Sequence, residues 1–176
     1  QSNRRKFLAE WADLTAAAAQ LGSDVAFFLG GPLAYCTGRG EKIAELPDRF
    51  DFAAILILPS VNSSTKEVYA HYHHDAALYR RLNARVAAHL GKKRVDLLAR
   101  ACANMLEASC FYLNEELEDL KEAVQTLGAG PVCLSGSGSA MFCLPHDMGS
   151  DQLDALRDTI AKKTDCRCVV VRNNRW

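Results

Sequence analysis

The segment PVCLSGSGSAMFCLP, residues 131–145, sets two apolar runs on either side of a loop built only from serine and glycine. Such a loop has almost no side chain to bury, and its glycines reach backbone angles closed to other residues. The two apolar runs are therefore predicted to fold back as a β-hairpin with an unusually small turn. A hairpin of this kind needs further strands beside it. FAAILIL, Phe52 to Leu58, is one buried strand, ended by Pro59, and CRCVVVR, residues 166–172, is another.

Helical spacing fills the intervals. SSTKEVYAHYHH starts at a cap formed by Ser63 or Ser64, with Glu67 completing a capping box. Leu78 to Leu90 is helical and is expected to stop at Gly91 as a C′ glycine. VDLLARACANMLEASCFYLN and EELEDLKEAVQTLGAG predict two more helices, the last ending at Gly128 or Gly130. Residues 150–163 form an amphipathic helix with Leu153, Leu156 and Ile160 inward. From Phe52 onward the order is βαββαβ, an α+β, ferredoxin-like antiparallel sheet backed by helices. The first fifty residues stand outside that plan. A helix over 4–20, with Phe7, Leu8, Trp11, Leu14 and Ala18 on one face, leads to Asp24. PLAYCTGRG and KIAEL follow as two short strands around Gly38 and Gly40. The expected division is 1–50 and 51–176.

Composition removes several function classes. The 176 residues carry 21 basic and 21 acidic side chains, so no phosphate-driven nucleic-acid binding is expected. The short cluster Lys92-Lys93-Arg94 reads as solvated surface. The seven cysteines sit mostly in apolar runs, without CxxC or zinc spacing, as buried thiols of a reducing cytoplasm. Cys166 and Cys168 share one side of a strand. No signal-peptide pattern and no apolar run of membrane-spanning length occur, so a cytoplasmic protein without a membrane partner is expected.

Two short stretches carry candidate chemistry. In LGSDVAFF, residues 21–28, Asp24 stands where a helix N-cap would. The same carboxylate could orient or deprotonate a hydroxyl during phosphoryl transfer. The SGSGS loop is either a plain turn or a set of amides and hydroxyls for an anion or a second phosphate loop. It is not a Walker A loop, because no Gly-Lys-Ser/Thr follows, and the third glycine of a dinucleotide fingerprint is missing. HYHHD, residues 71–75, puts His71 and His74 on one helical face, but no matching acidic or cysteine partner accompanies them, and no metal site is expected.

Taken in order, these stretches resemble the GHMP kinase superfamily, specifically the C-terminal part of its members. LGSDVAFFLGG is close to an LGxDVPFF signature, with Ala26 where proline is usual. GRGE at 38–41, PSVNSSTKEVY at 59–69, NMLE at 104–107 and LSGSGSAMF at 134–142 complete the set. Within the superfamily the pattern is similar to the branch serving the non-mevalonate isoprenoid pathway. The resemblance implies ATP with Mg²⁺ as co-substrate and phosphate transfer to an alcohol of a small molecule carrying cytidine diphosphate. It implies that Asp24 is the catalytic aspartate and that Thr65 and Tyr69 line the cytidine pocket, with the ring stacking on the base. It also implies that Gly136, Ser137, Gly138 and Ser139 close against the ATP-phosphate loop. The family's lysine and its long Gly/Ser-rich ATP loop have no counterpart before Leu21, so this chain alone is expected to fold but not to turn over. The apolar surface left uncovered is expected to drive homo-oligomerisation. Two other readings stay open: a non-enzymatic cytidine-binding or assembly module, and another GHMP small-molecule kinase of homoserine or mevalonate type.

Overall fold

Burial alternates over Ile55 to Leu58 of the strand Ala53–Leu58, with Ile55 and Ile57 fully enclosed and Leu56 and Leu58 only half-buried. That alternation is the period of a strand with one covered face. The computed structural model describes residues 10, 13–18, 20–22, 24–30, 33–38, 40, 42–46, 52–92, 101–145 and 147–172. The chain divides into two units, Gln1–Arg49 with Asn173–Trp176, and Phe50–Arg172.

In the first unit, 10, 13–18 and 20–21 are helical, and the rest of the expected 4–20 helix lies outside the described residues. A 3-10 turn, Val25–Leu29, follows Asp24. Strands β1 (Ala34–Thr37) and β2 (Lys42–Glu45) pair antiparallel, Ala34 opposite Glu45 and Thr37 opposite Lys42. Gly38 and Gly40 between them take positive φ, 75° and 113°, which is why glycine occupies both positions.

The second unit runs β3 (Ala53–Leu58), α1 (Thr65–Ala70), α2 (Ala76–Gly91), α3 (Glu107–Leu113), α4 (Glu115–Thr126), β4 (Val132–Leu134), β5 (Met141–Cys143), α5 (Ser150–Thr164) and β6 (Arg167–Arg172). The sheet order is β4-β5-β3-β6, and every neighbouring pair is antiparallel. This is the ferredoxin-like βαββαβ plan. Register stacks two rows of side chains on one face: Leu134, Met141, Ile57 and Cys168, then Val132, Cys143, Ile55 and Val170. Val68 of α1, Cys110 and Phe111 of α3, Leu117 and Val124 of α4 and Ile160 of α5 close over those rows.

The helix ends follow local chemistry. Ser64 caps α1 by accepting from the Glu67 amide. Asp75 caps α2, accepting from the Ala77 and Leu78 amides, and the Leu78 bond draws its carboxyl below the usual value. At the start of α5 the Gly149 amide donates to Gln152 Oε1. At its far end Lys162 and Lys163 suit the negative pole of the helix.

Four expectations need correction. Asp24 has helical backbone angles and makes no side-chain cap bond, because the segment after it winds as a tight 3-10 turn. Gly91 is the last residue of α2 rather than a residue beyond it; Lys92 follows, its amide donating to Ala88. The helix read through residues 95–114 is absent at 102–104, where the backbone is irregular; 93–100 lie outside the described residues. His71 and His74 share no helical face, because α1 ends at Ala70 and 72–75 are irregular. His71 Nδ1 sits 3.0 Å from the Glu67 carbonyl, and His74 Nδ1 sits 2.8 Å from the Tyr72 hydroxyl.

Truncation on the two faces of β3 has unequal cost. Ile57→Ala is expected to lower unfolding free energy by about 2–5 kcal/mol, and Leu56→Ala by clearly less. Urea denaturation of both variants checks this; a larger loss at Leu56 would contradict the assignment of the covered face.

Candidate functional site

The loop between β4 and β5 is closed at its base by the Ser135 amide donating to the Ala140 carbonyl at 2.8 Å. Inside it the Gly138 amide donates to the Ser135 carbonyl at 3.0 Å. Gly136 and Gly138 have φ of 58° and 90°, and the Gly138–Ser139 peptide is cis. A side chain at Gly138 would also have no room: a Cβ there would sit 2.7 Å from Cys110 Sγ and 3.2 Å from Leu134 Cδ1. Glycine at 138 is therefore required twice, by angle and by approach.

The serines hold the loop against the chain that enters α1. Ser63 Oγ donates to the Ser137 carbonyl at 2.9 Å. The Cys110 thiol lies 3.6 Å from the same Ser63 oxygen and is left to donate to it. Thr65 Oγ1 and Ser137 Oγ share a hydrogen bond of 2.8 Å at an exposed position. Ser139 Oγ donates to the Val61 carbonyl. From the other side, Asn104 Nδ2 donates to the carbonyls of Leu134 at 3.0 Å and Gly136 at 2.7 Å. The Asn104 side-chain oxygen accepts from the Leu106 amide at 2.9 Å, so the group is fixed at both ends.

The structure thus brings together Thr65, Ser137, Gly138 and Ser139, which the sequence reading treated as two separate motifs. Tyr69 lies one turn along α1 from Thr65 and is 60% exposed, an aromatic face open to a partner. At the end of α1 a cavity of about 360 Å³ is lined by His71, His73, Met105, Ala108, Ser109 and Tyr112. The Ser109 hydroxyl is already used, donating to the His71 carbonyl at 3.2 Å. Asp24 belongs to the first unit and is described there alone. Sequence reasoning missed Asn104, Ser63 and Cys110 as parts of the site. A polar amide directly after the apolar run Ala101–Ala103 and before Met105 and Leu106 was the available signal for Asn104.

Uncharged hydroxyls and exposed loop backbone suit a polar, anionic or sugar-bearing ligand more than a bare metal ion. Among the described residues no group of three or more His, Cys, Asp or Glu side chains is placed to hold a metal. Among them, too, no helix is long and apolar enough to cross a membrane.

Residues 84–162, which include Asn104 and the whole Ser/Gly loop, match the family described as GHMP kinases C terminal. Those residues carry the match to a GHMP kinase C-terminal domain. A relative from Geobacillus sp. (strain WCH70), 4-diphosphocytidyl-2-C-methyl-D-erythritol kinase, is 34% identical over 136 residues, covering 77% of this chain and 47% of the relative. The crystal structure of a 4-(cytidine 5'-diphospho)-2C-methyl-D-erythritol kinase aligns with TM-score 0.68 and 26% identity, over 93% of this chain and 57% of that one. Homoserine kinase from Cytophaga hutchinsonii shares the fold, with TM-score 0.56 and 21% identity over 76% of this chain and 44% of its own. The chain spans about half the length of the curated relatives it matches. The GHMP kinases are enzymes, and the relatives are small-molecule kinases.

The close approach at Gly138 yields a test. Gly138→Ala and Gly136→Ala share the cost of a left-handed backbone, but Gly136 has open space around it. Gly138→Ala should cost about 1–3 kcal/mol more, the price of overpacking. Adding Cys110→Ala should recover part of that difference in a double-mutant cycle. Equal losses for the two glycine variants would contradict the contact.

Proposed function

We propose that this chain supplies the C-terminal half of the site of 4-diphosphocytidyl-2-C-methyl-D-erythritol kinase, which transfers the γ-phosphate of ATP to a hydroxyl of that substrate. The observation that carries the reading is the hydrogen bond between Thr65 and Ser137, because it joins the segment assigned to cytidine with the loop assigned to phosphate. Tyr69 stacks on the cytosine, an interaction worth about 1–3 kcal/mol for one base on one ring. Thr65 and Ser63 hold the base-proximal edge, and Ser63 does so while anchoring Ser137. The Gly136–Ser139 loop faces the polyphosphate and excludes water as it closes.

Asp24 is the carboxylate that takes or orients the proton of the attacking hydroxyl. Its motif, LGSDVAFF, which is close to the family signature, supports this role. ATP with Mg²⁺ supplies the phosphate and neutralises its charge when bound. The hydroxyl of Ser137 fits as a neutral partner of a phosphate oxygen, and Mg²⁺ would be held mainly by the phosphate oxygens with few protein groups. The setting is the cytoplasm. A second copy of the chain is a further partner, supported by the exposure of Leu21 and Phe28, 81% and 79%. Equilibrium sedimentation of a monomer at high concentration would count against that copy.

The site reading is checked by calorimetric titration with cytidine 5′-diphosphate. Binding is expected, weakened about tenfold or more in Tyr69→Ala; binding that is indifferent to Tyr69 would overturn the pocket. In the full-length enzyme, ADP release with the diphosphocytidyl substrate should fall about 10²–10⁴-fold in Asp24→Asn, with cytidine diphosphate affinity little changed. An Asp24→Asn enzyme of undiminished kcat would remove Asp24 from the mechanism.

A further inference from the structure

Three contacts hold His71 in place at the end of α1. Its ring Nδ1 lies 3.0 Å from the Glu67 carbonyl, one turn back. Its own carbonyl accepts from Ser109 Oγ at 3.2 Å. The Tyr112 ring lies beside the imidazole, with centroids 5.8 Å apart and planes tilted by 36°. Ser109 and Tyr112 are three positions apart on α3 and so share one face of that helix. The end of α1 is thereby pinned to α3, and the cavity of about 360 Å³ opens where they meet.

Those contacts decide which polar atoms the cavity can offer. A carbonyl only accepts, so the neutral imidazole of His71 carries its hydrogen on Nδ1 and leaves Nε2 as an acceptor. The single hydrogen of the Ser109 hydroxyl is spent on the His71 carbonyl, and its oxygen is left with lone pairs. Ser109 is only 7% exposed, so this partner sets its orientation. Met105 and Ala108 add apolar wall, and Tyr112, 74% exposed, adds an aromatic face. The lining, completed by His73, contains no carboxylate, lysine or arginine. It suits the uncharged part of a ligand. Its volume is at the small end of ligand pockets, which run from about 300 to 1,000 Å³.

We propose that this cavity is a binding site for a planar, uncharged heteroaromatic ring that carries an amino group. The ring packs on Tyr112 and Met105, and its amino group donates to His71 Nε2 and Ser109 Oγ. A ring with a carbonyl at the same edge would set acceptor against acceptor and leave both sides unpaired, the mismatch that gives polar sites their selectivity. The inference rests on the kinase reading only for the source of such a ring. Adenine of ATP and cytosine of the diphosphocytidyl substrate both carry the amino group, whereas hypoxanthine and uracil carry a carbonyl in its place.

The test titrates the histidine-¹⁵N-labelled chain with adenosine, inosine, cytidine and uridine, followed by nuclear magnetic resonance. The chain has five histidines, and His71→Phe assigns the resonances of His71 by their loss. Without ligand, neutral His71 should show the hydrogen on Nδ1. Adenosine should bind about tenfold tighter than inosine, or cytidine about tenfold tighter than uridine, with a shift of His71 Nε2. The pair that shows the preference identifies the source of the ring. His71→Phe keeps an aromatic ring and should erase the preference, while Tyr112→Ala should weaken binding and leave the preference in place. The proposal is overturned by equal affinity within both pairs, by no binding of any of the four, or by a neutral His71 with its hydrogen on Nε2. An amino preference that depends on His71 but not on Tyr69 would support this site while overturning the stacking of cytosine on Tyr69.

Discussion

One side-chain amide holds the candidate site together. Asn104 donates to two carbonyls of the β4 end and its loop, and its own oxygen accepts from the backbone at Leu106. Without it, those two carbonyls lose their side-chain partner, and the loop is held only from the side of the chain that enters α1. With it, Ser137 and Ser139 are presented to Ser63, Thr65 and the Val61 carbonyl. Among the described residues no buried side-chain nitrogen or oxygen lacks a partner, so the clamp leaves no unpaired side-chain group behind it.

The sheet makes that clamp possible. The two rows of buried side chains fix β4 and β5 over β3, and α3 packs Cys110 against the same core. Cys110 then lies directly under Gly138 and beside Ser63. The core and the site therefore share a residue, and the loop position follows from the packing beneath it. A rigid platform under a small-residue loop suits phosphoryl transfer, where catalysis is largely positioning and charge neutralisation.

The fold was legible wherever burial imposes a period. Ile55 and Ile57, the hairpin pair Leu134 and Met141, and Leu153 with Ile160 all follow from spacing alone. The errors fall where a polar side chain overrides the period. Residues 102–104 read as helix because ACANMLEASC is rich in helix formers, but Asn104 spends its amide across a long sequence separation, 30 and 32 residues away, and the backbone bends to let it. His71 looked helical because the spacing cannot show that α1 stops one residue earlier. The Ser/Gly loop was recognisable as a close-approach element, but its partners were not: no local pattern links Val61 or Ser63 to Ser137. Asp24 shows the reverse case, a good cap by composition that the 3-10 geometry leaves unused for capping.

Hydrogen–deuterium exchange on Asn104→Ala tests the central claim most directly. The account predicts faster exchange at 134–139 together with 63–65, while the paired amides of β3 and β6 keep their protection. Unchanged exchange at 134–139, or a uniform rise across the whole sheet, would contradict the assignment of Asn104 as the local clamp of this loop.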